Sequence, residues 1–244
     1  MADYYFKIAS YRHENEVYKF GLILTDQLKE NSYNTHELTV YERERISTFR
    51  TRGRRNEYYA GRVAGKYLLM KYLGMCREEV QGISIRNNED GVPYFSPEVG
   101  PVSCGISHSG NYLASLIFPT QLGLGIDLED TLCIKDSIRY AVLPEEISIM
   151  PEDIDDTTFF TVVWVCKEAL LKSIHGKIIY GMEKYQISEI TKTEAGFLIR
   201  YRNYPEYTAI CFKWRNAIVA IAGKGMENNV TGTSYLKGYK RIFM

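Results

Sequence analysis

The sequence predicts an α+β chain built from two halves of similar plan. Three observations carry that expectation. A strand, a helix pair and further strands can be read twice along the chain in the same order. Pro119 breaks the apolar pattern close to the middle of the 244 residues. Hydrophobic residues make up 45% and charged residues 25%, the usage of a chain that buries a core and not of a disordered one. The expected halves are residues 1–119 and 120–244, although their sequences share no clear repeat.

The first half opens with strands at Tyr4–Ala9 and Val17–Leu24, followed by a charged helical stretch from Glu37 to Arg50. A longer helix is expected from Asn56 to Tyr72, because Tyr59, Val63, Leu69 and Leu73 fall mostly on one side and Gly74 supplies a stop. Ile83–Arg86 and Pro93–Phe95 read as strands around an Asn87–Gly91 turn, and Tyr112–Phe118 as a third strand. In the second half a strand covers Leu122–Glu129. A short helix begins near Pro144 and a longer one spans Thr157–Ser173. Strands follow at Gln186–Ile190, Phe197–Tyr201, Tyr207–Phe212 and Ala217–Ala222, with a polar tail from Glu227. Two such halves would leave a cleft between them for a ligand.

Composition excludes several classes. The net charge is zero, so no global attraction for nucleic acid or membrane is indicated. The longest strongly apolar run, Tyr112–Phe118, is far below the roughly 20 residues of a membrane-spanning helix. The N-terminus lacks the apolar core of a signal peptide. Cys76, Cys104, Cys133, Cys166 and Cys211 are scattered and form no CxxC pair, which argues against a disulfide framework or a structural zinc site. A cytoplasmic chain with reduced thiols is expected.

The stretch "GIDLED" begins at Gly125. Alternation on a strand sends Leu122, Leu124, Ile126 and Leu128 to one face, and Gly123, Gly125, Asp127 and Glu129 to the other. The second face is nearly bare and then carries two carboxylates, leaving room for a ligand and two hard oxygen donors. Mg²⁺ suits such a pair. A strand ending in solvent explains the same residues. "WVCKEALLK", from Trp164, puts Trp164, Glu168 and Lys172 on one helical face. Glu168 is a candidate third carboxylate and Lys172 a point charge for phosphate. An ordinary surface Glu–Lys pair is the alternative, though an indole on that face argues for burial. "GISHSG" places Ser107 and His108 in a polar turn able to bind phosphate or simply to connect strands. Residues 42–66 hold eight cationic side chains against three acidic ones, whereas 145–156 hold six acidic ones. The basic stretch can meet phosphates, meet an acidic protein, or be a solvated face.

The order GISHSG, GIDLE, WVCKEALLK resembles the 4′-phosphopantetheinyl transferases, and within them the monomeric, surfactin-synthetase-activating class. "ERISTFRTRGRRNEYYAGR", residues 44–62, resembles that class's helical segment ending in A-G-R. The resemblance covers about residues 40–180. It implies two similar α+β halves in a pseudo-twofold arrangement with coenzyme A between them. It also implies Mg²⁺ held by Asp127, Glu129 and Glu168, a phosphate contact from Lys172, and Ser107 and His108 at the 3′-phosphate. Arg45, Arg52, Arg62 and Arg86 are further phosphate candidates. One departure concerns G-K-P-x-[FY], where this chain has Gly91, Val92, Pro93, Tyr94 and Phe95, so Val92 supplies no ammonium. The implied reaction moves phosphopantetheine from coenzyme A to a serine of an acidic helical apo carrier protein, with Glu168 as base. The fatty-acid, polyketide and peptide carriers all stay open. A Mg²⁺-dependent nucleotide hydrolase would use the same carboxylates, and a non-catalytic coenzyme A-binding protein, which would not depend on Asp127, is the other alternative.

Overall fold

The computed structural model describes residues 4–13, 16–26, 35–133, 136–174 and 181–226. The tail expected from Glu227 lies outside them. Strands and helices are mixed throughout, as an α+β chain requires. Among the described residues, 4–9 and 19–121 form one compact unit, and 10–18 and 122–226 form another. No described helix is long and apolar enough to cross a membrane.

The chain begins with β1 (Tyr4–His13) and β2 (Glu16–Thr25), of which residues 4–9 and 19–25 belong to the first unit. The expected helix at Glu37–Arg50 is shorter. It resolves into a 3-10 turn at Thr35–Glu37 and α1 (Val40–Ser47), because Thr39 caps α1. The Thr39 hydroxyl accepts from Glu42 N while Glu42 Oε2 accepts from Thr39 N, a reciprocal capping box. The long helix α2 (Arg52–Leu73) starts earlier than expected, since Thr51 accepts from Arg54 N and forms the cap. It ends at Gly74, whose φ of 72° is the left-handed conformation that glycine adopts without strain. A short helix α3 (Arg77–Gln81), absent from the sequence reading, precedes the hairpin β3 (Ser84–Asn87) and β4 (Pro93–Ser96).

A second correction concerns "GISHSG". Ser107 and His108 lie not in a turn but inside β5 (Val102–Ser109), opposite Ala114 and Leu113 of β6 (Tyr112–Pro119). The turn is Gly110–Asn111, with Gly110 at φ 56°. Two polar residues in succession hid the strand because neither of its faces is uniformly apolar. The sheet runs β1-β2-β6-β5. Helix α2 covers it through Ala64, Leu68 and Leu69, which pack with Ile23, Ile85, Leu113 and Ile117. Each fully buried leucine there stabilises the fold by about 2 kcal/mol.

Residues 120–122 form a 3-10 turn that closes the first unit, and in the second unit the strand β7 begins only at Gly125, running to Asp130. Gly123, at φ 53°, turns the chain into it. After a 3-10 segment at Asp136–Ala141 come α4 (Pro144–Ile147) and α5 (Asp156–Ile174). Asp155 starts α5 by accepting from Thr158 N and Thr158 Oγ1, and these bonds hold its carboxyl below the usual range. The strands β8 (Ile187–Thr193), β9 (Gly196–Tyr201), β10 (Tyr207–Trp214) and β11 (Ala217–Lys224) complete an antiparallel sheet of order β7-β11-β10-β9-β8. Helix α5 packs on one face of it, with Val162, Val165, Cys166, Ala169 and Leu170 against Ile199, Ala209, Cys211, Ile218 and Ala220.

Candidate functional site

The second unit gathers four of the expected residues. Ala220 pairs with Asp127, Ile218 with Glu129 and Ala222 with Gly125, so Gly125, Asp127 and Glu129 share the face that α5 covers. This corrects the idea of a bare face with room for a ligand. A Cβ on Gly125 would lie 2.1 Å from Ala169 O, so the helix backbone takes that space. Glycine is used here for close helix–strand approach. The approach brings Lys172 Nζ within 2.5 Å of Asp127 Oδ1. Ser173 Oγ donates to Gly123 O and ties the end of the helix to the turn before the strand.

Asp127 is buried, and Glu168 is only 7% exposed, so neither belongs to a solvated strand end or a surface ion pair. Trp164 packs partly buried against the helix-side core, as its indole demanded. The Glu168 Oε1 atom is buried without a hydrogen-bond partner among the described residues. Burial raises the Glu168 carboxyl to about 7, and the Asp127 and Glu129 charges push the same way, while Lys172 opposes them. Asp130 takes no part. It points elsewhere and closes a turn by accepting from Leu132 N.

Among the described residues, no three acidic, histidine or cysteine side chains converge as a ready-made metal cluster. The carboxylates are nonetheless suited to one. They are hard oxygen donors, one of their oxygens is buried and without a hydrogen-bond partner among the described residues, and Lys172 offsets part of their mutual repulsion.

The first unit carries the other candidates. Ser107 is buried in β5. His108 Nε2 lies 3.1 Å from Arg54 Nη1 and 3.7 Å from Glu57 Oε2, and Arg54 and Glu57 pair at 3.0 Å. The eight cations of residues 42–66 do different jobs. Lys66 and Arg62 are buried. Arg62 donates to Ile85 O and Asn87 Oδ1 and lies over the Tyr58 ring. Arg45 and Arg52 stay exposed, with Arg45 over Phe49. Arg86 lies over Tyr41, and its buried Nε has no hydrogen-bond partner among the described residues, an unspent donor suited to an anion. Val92 closes the β3–β4 turn, its N–H donating to Asn88 Oδ1.

Two buried ion pairs escaped the sequence reading. Lys66 Nζ donates to Glu42 Oε2 at 2.6 Å and to Glu37 O at 3.0 Å, and Glu42 Oε1 accepts from Ile85 N. Lys167 Nζ donates to Glu146 Oε2 and to Ala141 O, both at 2.7 Å, and Glu146 Oε1 accepts from Ile187 N. Burial lowers both ammonium groups, and the paired glutamate opposes the shift in each. The T-V-Y-E capping pattern at Thr39 was a sequence signal for the first pair. The second lacks a capping hydroxyl and had none.

Comparison with known proteins bears on the second unit. Residues 123–222 match the family model of the 4′-phosphopantetheinyl transferase superfamily. This stretch contains Asp127, Glu129, Glu168 and Lys172. A holo-[acyl-carrier-protein] synthase of Lactococcus lactis subsp. cremoris (strain SK11) is 39% identical over 77 residues, which is 30% of this chain and 65% of that relative. Both findings support the phosphopantetheinyl transferase family.

Proposed function

We propose that this chain transfers 4′-phosphopantetheine from coenzyme A to a serine of an apo carrier protein, as a monomeric, Mg²⁺-dependent enzyme of the surfactin-synthetase-activating class. The observation that carries the reading is Glu168. Its carboxylate is buried, has an unpartnered oxygen and faces Asp127 and Glu129 within the stretch that is similar to the transferase superfamily. The name of the Lactococcus relative points to a carrier protein as acceptor.

Asp127, Glu129 and Glu168 would hold the Mg²⁺, which would offset charge on the pyrophosphate of coenzyme A. Glu168 Oε1 takes the proton of the carrier serine, directly or through a water. The serine Oγ–phosphorus bond forms at the β-phosphate while the bond to the bridging oxygen breaks, and 3′,5′-ADP leaves. Lys172 steadies Asp127 and offers its charge to the phosphate. Ser107 and His108 are assigned to the 3′-phosphate, with Arg45, Arg52, Arg62 and Arg86 as further phosphate contacts. Among these, Arg86 has an unspent donor, while Arg62 has committed two. Exposed arginines of α1 and α2 would steer an acidic helical carrier.

The test is carrier loading followed by mass spectrometry, across acyl, peptidyl and aryl apo carriers, with Mg²⁺ present and chelated. A gain of one phosphopantetheine on a carrier, only with Mg²⁺, is expected. Release of phosphate from coenzyme A without any loaded carrier would replace transfer by hydrolysis.

A further inference from the structure

The buried pair Glu146–Lys167 is placed to do more than hold the second unit together. Lys167 is fully buried and directly precedes Glu168 on α5. Its ammonium is fixed by Glu146 Oε2 and Ala141 O, and Glu146 in turn receives the N–H groups of Leu143 and Ile187. One ion pair therefore ties α5 to α4, to the segment before it and to the start of β8. On the other flank of Glu168, Ala169 rests on Gly125, where no Cβ fits. Residues 167 and 169 are both anchored, and a helix turns 100° and rises 1.5 Å per residue, so the height and direction of Glu168 between them are fixed. A buried ion pair adds little stability over apolar packing of the same volume, but it accepts only one arrangement of its partners.

We propose that Glu146 and Lys167 are positioning residues for Glu168 in the transfer reaction. This rests on the transfer reading above. The molecule carries its own control. Glu42–Lys66 has the same bonds in the first unit, to a backbone carbonyl and to the N–H of Ile85, but Lys66 is followed by Tyr67, which has no carboxylate. A merely structural role predicts equal consequences for the two pairs. A positioning role predicts unequal ones.

The experiment compares two double variants, Glu146→Gln with Lys167→Met, and Glu42→Gln with Lys66→Met. Each removes both charges and keeps an acceptor for the strand N–H, which avoids stranding a buried charge. Melting temperatures are measured first, and kinetics are taken where both are folded. The second-unit variant is expected to lose about 10- to 100-fold in kcat with KM for coenzyme A within about 3-fold, the result of a misplaced reacting group. The first-unit variant is expected to fall as far in melting temperature and keep kcat within about 3-fold on the same ground. Equal losses of kcat in both, or an unchanged kcat in the second-unit variant, would overturn the proposal. A wild-type chain that loads no carrier at all would sink the transfer reading itself, before either variant is compared.

Discussion

The two units solve the same packing problem and differ in what they place on the solution. In each, a short helix contributes a buried glutamate that takes the lysine of a long helix and a backbone N–H at the start of the next hairpin, Ile85 or Ile187. In each, the residue two positions after that lysine lies over a strand glycine: Leu68 over Gly21, and Ala169 over Gly125. Counting from these anchors, Ile23, Thr25 and Tyr67 of the first unit hold the places of Asp127, Glu129 and Glu168. Five residues past the clamp lysine stands a second lysine. Lys71 lies over the Tyr67 ring, whereas Lys172 bonds Asp127. The frame is common to both. The acidic chemistry belongs to the second unit alone, so the frame does not require it.

The comparison breaks most easily on activity. Glu168→Gln is expected to lower kcat by about 100- to 10,000-fold, the usual contribution of a positioned base. Tyr67→Phe at the matching place should leave kcat within a factor of about two, since nothing in that reaction uses its hydroxyl. Steady-state loading kinetics decide it, and similar losses in both variants would refute the asymmetry. A smaller contrast is expected for the lysines. Lys172→Ala should lose about 10- to 100-fold, because it removes a charge from Asp127 and from the phosphate, while Lys71→Ala should lose none. Raised KM without a fall in kcat for Lys172→Ala would make it a binding group only.

Much of this asymmetry was legible in the sequence, and some of it was not. Asp127, Glu129, Glu168 and Lys172 could be found because strand alternation and helical spacing are local rules, and one leucine or three residues suffice to set a face. What those faces meet is not local. The glycines before Asp127 read as open space, and only the packed helix shows that Ala169 fills it. Lys66 read as one more cation of a basic stretch, because its partner lies 24 residues away in sequence and the pair is buried. Ser107 and His108 read as a turn since β5 lacks an apolar face, and its pairing with β6 overrides its own weak strand pattern.

Acidity offers a third contrast. The Glu168 carboxyl is raised by burial, then by Asp127 and Glu129, to about 7 from an unfolded value of 4.5. Below the unfolded value both states are protonated and the group contributes nothing. Between 4.5 and 7 the unfolded chain releases the proton while the folded chain keeps it, so stability falls as pH rises. The full penalty, about 3 kcal/mol, is in place above 7. Glu168→Gln is therefore expected to match the wild type in urea denaturation near pH 4 and to exceed it near pH 8, without Mg²⁺. Tyr67→Phe should show no such crossing in that range. Parallel stability profiles for Glu168→Gln and the wild type would mean that Glu168 is solvated and ionised when folded.

The glycines give the smallest contrast and test the frame itself. A methyl group on Gly21 meets Leu68 Cδ1 at 2.9 Å, the far end of a side chain that can change rotamer. A methyl group on Gly125 meets Ala169 O at 2.1 Å and Ser173 N at 2.5 Å, both backbone atoms of α5. Relief there requires the helix to move off the strand. Gly21→Ala is expected to destabilise by about 1 kcal/mol and Gly125→Ala by about 3 kcal/mol, the range for overpacking with and without an easy escape. Lifting α5 would also lengthen the Lys172–Asp127 bond, so Gly125→Ala should lose activity at temperatures where it remains folded. Gly21→Ala should not. Equal destabilisation, with activity retained in both, would mean that α5 and α2 are held to their strands at the same depth and that Gly125 has no part in bringing Lys172 to Asp127.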